Sequence, residues 1–414
     1  MAITTKEEGV WGLDEVYNKI NQGGIWSYDA PMNGQLWIWG DNELGAMGQN
    51  TDVGGWADAG PLQIPGTTWS DCIGSSGGGS GYKQNGALKS DGSLWTWGGY
   101  NNGGELGHND RNMRSSPTQV PGTWKLRQDT DAGTQTEKYN FLANGVCYAI
   151  KTDNTLWAWG YNGYGALGLN QSPGNPGSQR SSPTQVGTET TWKYINKSGD
   201  GGTQMTKTDG TLWTMGRNTY GRLGQNNQTD YSSPVQISGT TWNGVAGGSK
   251  HWFVTKTDGS LWGFSDNSQG QLAQNSTSVA AYSSPVRVGT DTNWSTVDTS
   301  GDCVVAVKTD GTLWSWGRNE VGALGQNQGP GSGTVSSPTQ IGTGTTWLNV
   351  VSVRENGYQA VKSDGTLWAW GENSEGELGQ GNQTNRSSPT QIPGTDWSVK
   401  LGGYQKGALA IKTP

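Results

Sequence analysis

The sequence predicts an all-β protein, a seven-bladed β-propeller of four-stranded antiparallel blades, preceded by a short helical arm. Three observations carry this expectation. First, the phrase Leu-Trp, one residue, an aromatic residue or Met, then usually Gly recurs at Leu36-Trp37, Leu94-Trp95, Leu156-Trp157, Leu212-Trp213, Leu261-Trp262, Leu313-Trp314 and Leu367-Trp368. The copies lie 49 to 62 residues apart, a period of blades or solenoid turns and not of independent domains. Second, a Lys-Ser/Thr-Asp-Gly turn precedes most copies, and a Gly-x-Asn-x-x-Gly-x-Leu-Gly loop follows. Third, the first copy lacks the strand that precedes the others, while Gly407-Ala408-Leu409-Ala410-Ile411-Lys412 supplies that strand with nothing after it. Pairing of this C-terminal strand with Leu36 to Trp39 would close the ring and remove the edges an open array must cap.

Residues 1–33 carry no repeat and form the arm; residues 34–414 form the propeller. Within the arm, Leu13, Val16, Tyr17 and Ile20 fall at i, i+3, i+4 and i+7, with Asp14 and Glu15 in the first turn and Gly23 as a stop. That spacing predicts a short amphipathic helix whose apolar face packs on the propeller or anchors the chain to another subunit.

Each part of the repeat has a physical reading. Asp-Gly between alternating residues is a hairpin signal, because Gly takes the positive φ of a tight turn at no steric cost. It joins Gln359 to Lys362 with Leu367 to Trp370. Residues two apart on a strand share a face, so Trp368 and Trp370 point one way and Leu367 the other. A sheet apolar on both faces has to be sandwiched between other sheets. The loop asparagines Asn42, Asn162, Asn218, Asn319 and Asn373 read as local braces. Ser-Ser-Pro opens an edge strand, where a missing N–H costs least. The lone tryptophans Trp69, Trp124, Trp192, Trp242, Trp294, Trp347 and Trp397 begin the next strand.

Only 31% of the residues are hydrophobic, so the 23 tryptophans must supply much of the buried surface. The net charge of −7 comes without a basic stripe, which argues against a nucleic-acid partner. No apolar stretch is long enough to insert into a membrane, and the N-terminus lacks the apolar core of a signal peptide. Cys72, Cys147 and Cys303 are odd in number and far apart, unlike a disulfide framework or a zinc site. Of the two histidines, His108 fills a slot held by Gln225, Gln326 and Gln380 in other copies, and His251 opens a strand. No catalytic constellation, cofactor site or metal site is expected. The acids Asp91, Asp153, Asp209, Asp258, Asp310 and Asp364 sit singly at hairpin turns, so turn chemistry explains them better than calcium. The variable segments 51–60, 74–85, 125–136, 171–180 and 328–335 break the repeat. Loops on a rigid scaffold are where contacts concentrate, and Trp56, Tyr82, Tyr161 and Tyr164 are the candidate partner-contact residues.

With its Leu-Trp-x-Trp-Gly-x-Asn-x-x-Gly-x-Leu-Gly core, the chain resembles the regulator of chromosome condensation repeat family, whose members are seven-bladed propellers. Departures fall in the fifth copy, with Phe264, Ser265 and Ala273, and in the fourth, with Met215. The resemblance implies a rigid disc that grips another macromolecule. The namesake's activity, nucleotide exchange on a small GTPase with chromatin binding, goes with a basic tail that this chain does not show. The arm wording Gly9-Val10-Trp11-Gly12 through Gly24-Ile25-Trp26-Ser27-Tyr28 is similar to segments of marine tailed-phage structural proteins. The expectation is therefore a non-enzymatic virion subunit, in a tail fibre, tail tip or capsid decoration, assembled in the host cytoplasm. The arm would bind other virion proteins, and the disc would face a host surface glycan or protein. The alternative is a regulatory protein that inhibits an enzyme or acts on a small GTPase through the propeller face.

Overall fold

The computed structural model describes residues 34–51, 57–74, 83–99, 101–126, 140–143, 145–171, 178–197, 201–247, 251–329, 331–353, 356–404 and 406–413. The predicted arm helix, with Leu13, Val16, Tyr17 and Ile20, lies outside these residues, as do Trp56 and Tyr82.

The described chain is all-β, its helical content confined to single 3-10 turns. Five four-stranded antiparallel sheets and one seven-stranded sheet account for it. The sheet built from Trp347–Val353, Gly357–Lys362, Leu367–Gly371 and Arg386–Ile392 shows the common plan. Its second and third strands form the predicted Asp-Gly hairpin, with Val361 opposite Leu367 and Gly357 opposite Gly371. Leu367 and Trp370 are fully buried on opposite faces. The Ser-Ser-Pro segment lies within the outermost strand, where proline withholds no ladder bond.

The seven-stranded sheet arises because Ala57–Gly74 runs as one 18-residue strand. Its first part is the outer neighbour of Gly34–Asp41, and its last part, from Trp69, is the inner neighbour of Gln84–Lys89. Trp69 thus lies inside a strand instead of beginning one. A second departure is Trp124, which makes only an isolated bridge to Lys151; the pairing strand there is Asn140–Ala143. The other lone tryptophans begin their strands as expected. The variable segments are also not wholly loop: residues 57–60, 74, 84–85, 180 and 334–335 belong to strands.

Gly407–Lys412 pairs antiparallel with Gly34–Asp41, from Gln35 opposite Lys412 to Gly40 opposite Gly407. Around the molecule, the innermost strand of each sheet lies against that of the next, and Trp397–Tyr404 lies against Ala57–Gly74. Loop-to-strand hydrogen bonds repeat the same relation. The backbone N–H of Asn50, Asn109, Asn170, Asn226, Asn275 and Asn327 donates to Ser115, Ser181, Ser232, Ser283, Ser336 and Ser387 O of the following repeat, and Gly381 N–H donates to Ala59 O at 2.8 Å.

The core is a set of wedges between sheets. One unites Leu36, Ile38, Leu409 and Ile411 from the first and last described strands with Ala87 and Trp97 of the next repeat, within the seven-stranded sheet. The second tryptophan of the phrase spans these wedges: Trp97, Trp159, Trp316 and Trp370 donate Nε1–H to Ala46, Glu105, Gln271 and Ala323 O of the preceding repeat, at 2.6 to 3.0 Å. Trp39 donates to Glu377 O at 2.8 Å, 338 residues away. In the fourth copy Met215 has no N–H to give, and Tyr148 Oη–H donates to the corresponding Ala166 O. In the fifth copy Ser265 (φ 83°) and Ala273 (φ 54°) occupy left-handed positions that Gly317 and Gly325 hold elsewhere, so these two departures carry backbone strain.

Candidate functional site

Two opposite ends of the strands carry the candidate features. At one end each hairpin turn builds a small cage. In the last full copy, Thr366 N–H and Oγ1–H donate to Asp364 Oδ1 at 3.0 and 2.6 Å, and Trp368 Nε1–H donates to Thr366 Oγ1 at 2.8 Å. The same indole-to-hydroxyl bond fixes Trp95, Trp157, Trp213, Trp262 and Trp314. The hydrogen bonds from the Ser or Thr side chain and backbone hold Asp91, Asp153, Asp209, Asp258, Asp310 and Asp364 below the usual carboxylate range. These acids brace turns, as their spacing implied.

A lysine on the preceding strand lies over two indoles. Lys362 Nζ is 4.1 Å from the Trp368 ring and 4.5 Å from the Trp347 ring, which meet edge to face. Lys89, Lys151, Lys207, Lys256 and Lys308 repeat the arrangement. Lys412, on the C-terminal strand, does so over Trp37 and Trp397. A cation over an indole is worth about 0.5–2 kcal/mol depending on desolvation. Sequence reasoning missed these cages, although lysine at a fixed distance before Asp-Gly was a visible signal.

At the other end lie the loops that follow the Leu-Trp strands. Tyr161 and Tyr164 are 42% and 43% exposed there, as proposed for contact residues. Arg217, from the next repeat, stacks on Tyr164 with its guanidinium carbon 4.6 Å from the ring centre. Tyr220, 50% exposed on that same next loop, was not anticipated. Its register matches Tyr164: both sit in 3-10 turns at positive φ, 59° and 63°. Asn162 and Asn218 brace these loops by accepting the N–H of Leu167 and Leu223. Asn101 and Asn267 act likewise in two other copies. Near the junction of the chain ends, Lys83 bridges Asp41 and Glu43, and Lys406 reaches Asp41 at 3.7 Å and Glu375 at 3.1 Å.

His108 Nε2 lies 3.0 Å from Thr96 Oγ1, as Gln225 and Gln326 meet Thr214 and Ser315 in their copies. Burial and the nearby Arg114 lower its pKa. His251 is fully buried and packs edge-on against Phe253. The three cysteines are buried and not joined in disulfides, and burial pushes the Cys303 thiol up to about 12. Among the described residues, no group of His, Cys, Asp or Glu is placed to hold a metal, and no helix is long and apolar enough to cross a membrane.

The sequence profile of the regulator of chromosome condensation (RCC1) repeat matches residues 91–127, 209–254, 310–354 and 364–401. The chain carries RCC1 repeats. Curated relatives are matched over parts of their length. The mitochondrial RCC1 domain-containing protein RUG3 of Arabidopsis thaliana is 34% identical over 139 residues, 30% of each protein. The mouse E3 ubiquitin-protein ligase HERC2 is 24% identical over 301 residues, 71% of this chain but 5% of the ligase. The chain therefore spans under a third of these relatives. Among solved structures, Prp20p of Saccharomyces cerevisiae, described with its binding to Gsp1p and histones, superposes with a TM-score of 0.77 over 92% of both chains. At 16% identity that likeness concerns the fold of the RCC1 repeats alone.

Proposed function

We propose that this chain is a non-enzymatic structural or adhesive subunit of a phage particle: a closed, seven-bladed propeller held by its N-terminal arm and presenting one end of its strands to a partner. Closure is supported by the in-register pairing of Gly407–Lys412 with Gly34–Asp41 and by the Trp39 and Gly381 bonds that join the last repeat to the first. Seven Lys-over-Trp cages, one of them built from both ends of the chain, support seven blades. The observation that carries the contact role is the patch of Tyr161, Tyr164, Arg217 and Tyr220 across two adjacent loops. Tyrosine and arginine on a rigid support lose little entropy on binding and dominate interface energetics. The particle setting is supported by the phage-like wording of residues 9–28, and the arm face of Leu13, Val16, Tyr17 and Ile20 is its anchor.

A second reading is favoured by the likeness to Prp20p: a regulatory protein whose propeller face grips a globular partner. One experiment separates the two. Removal of residues 1–33 should abolish incorporation into particles and leave a folded ring. Incorporation at the full level refutes the anchor, and a ring that instead pulls down a soluble GTPase supports the regulator.

A further inference from the structure

Three of the connections leading into a lone tryptophan have the same length: Val186-Gly187-Thr188-Glu189-Thr190-Thr191-Trp192, Val288-Gly289-Thr290-Asp291-Thr292-Asn293-Trp294 and Ile341-Gly342-Thr343-Gly344-Thr345-Thr346-Trp347. In the first two, the acidic residue reaches the caged lysine: Glu189 Oε2 lies 2.5 Å from Lys207 Nζ, and Asp291 Oδ2 lies 2.6 Å from Lys308 Nζ. In the third, glycine stands at that position. Lys362 Nζ still rests over Trp347 and Trp368 but makes no ion pair among the described residues. A cavity of about 560 Å³ opens beside it, and Lys362, Trp347, Gly344, Gln326, Asn327 and Gln340 are among the residues that line it.

We propose that this cavity binds a saccharide bearing a carboxylate, with the carboxylate taking the place that Glu189 and Asp291 fill in the sister repeats. A half-buried ammonium, already set over two rings, gains a charge-assisted partner without further ordering. Among the lining residues, Asn327 and Gln340 carry amide groups whose donors and acceptors suit sugar hydroxyls, Gln326 Nε2 being engaged by Ser315 Oγ at 2.9 Å, and Trp347 supplies an aromatic wall. A small free carboxylate would satisfy the lysine but leave those amides unmatched. Gly344 is not held by backbone need: it is not in the left-handed region, and a Cβ there would meet nothing closer than Trp347 Nε1 at 3.5 Å. An acidic residue fits, so its absence leaves room for a ligand.

The site deepens the adhesive reading, and its test is separable from that reading. The full chain is titrated calorimetrically with trigalacturonate, with a neutral trigalactoside and a Glu-rich peptide as comparisons. The expected result is saturable binding of trigalacturonate at one site, weakened at least tenfold by added salt, by Gly344→Asp and by Lys362→Gln. Gly344→Asp should retain the melting temperature, because it restores the pair that two sister repeats contain. Equal binding by Gly344→Asp, equal binding of the neutral sugar, or binding of the peptide in place of the uronate would overturn the proposal. Particle incorporation of Gly344→Asp is expected at the full level, so loss of saccharide binding and loss of assembly are distinct outcomes.

Discussion

Replacing Trp316 by Phe isolates the indole bond that ties one repeat to its predecessor. Trp316 is fully buried against Phe253 and Trp294, and its Nε1–H donates to Gln271 O at 2.6 Å. Phenylalanine keeps most of the packing but leaves that carbonyl without its donor, at a cost of about 1–3 kcal/mol. The smaller ring also removes about 40 Å³, worth about 1 kcal/mol at roughly 24 cal/mol per Å³. The sum is about 2–4 kcal/mol. Phe264 occupies the corresponding position one repeat earlier and has no N–H, so Phe264→Leu loses volume only, about 1 kcal/mol. Urea unfolding followed by tryptophan fluorescence should show Trp316→Phe to be the costlier change by at least about 1 kcal/mol, with unchanged dependence on denaturant. Equal costs for the two would mean that the cross-repeat bond adds nothing beyond packing.

Other consequences follow from the same geometry. Ser265→Gly and Ala273→Gly place glycine at left-handed positions and should each stabilise by up to about 1 kcal/mol, read as a rise in the urea midpoint. The turn aspartates are held below their unfolded values, so their contribution is complete above the ordinary carboxylate pKa and is lost as the pH falls through the folded one. The melting temperature should therefore decline on acidification, and less steeply in an Asp153→Ala, Asp209→Ala double variant; an unchanged slope would contradict the bracing role. Native protein should show no thiol titre with an aromatic disulfide at neutral pH, and all 3 cysteines should react after denaturation. Tyr164→Ala and Tyr220→Ala should leave stability within about 0.5 kcal/mol while weakening retention on the partner surface.

The repeat phrase made much of the fold readable, because each element has a local cause. Asp-Gly sets the hairpin, the Leu-Trp strand shows two apolar faces, and the loop asparagines fall at fixed positions. Gly407 to Lys412 read as the missing strand because its residues repeat Gly357 to Lys362 in kind. The rest depended on relations between repeats. That Ala57–Gly74 serves two successive repeats, or that Trp124 starts no strand, depends on pairing between strands, and the local pattern is silent there. The aromatic patch was half visible: Tyr161 and Tyr164 stood out, but Arg217 and Tyr220 gain meaning only when the next loop is brought beside them. Likewise Gly344 looks ordinary until Glu189 and Asp291 are seen to reach the lysines of their own cages.

The union of the two chain ends is tested most directly by amide hydrogen exchange across Gly34–Asp41 and Gly407–Lys412. Interior pairing predicts protection of both strands at the level of Gly357–Lys362, lost from both together when 407–414 are deleted. Exchange of Ala408 to Ile411 as fast as a free terminus, with the Leu36 to Trp39 amides unaffected by the deletion, would contradict a ring sealed by its own tail.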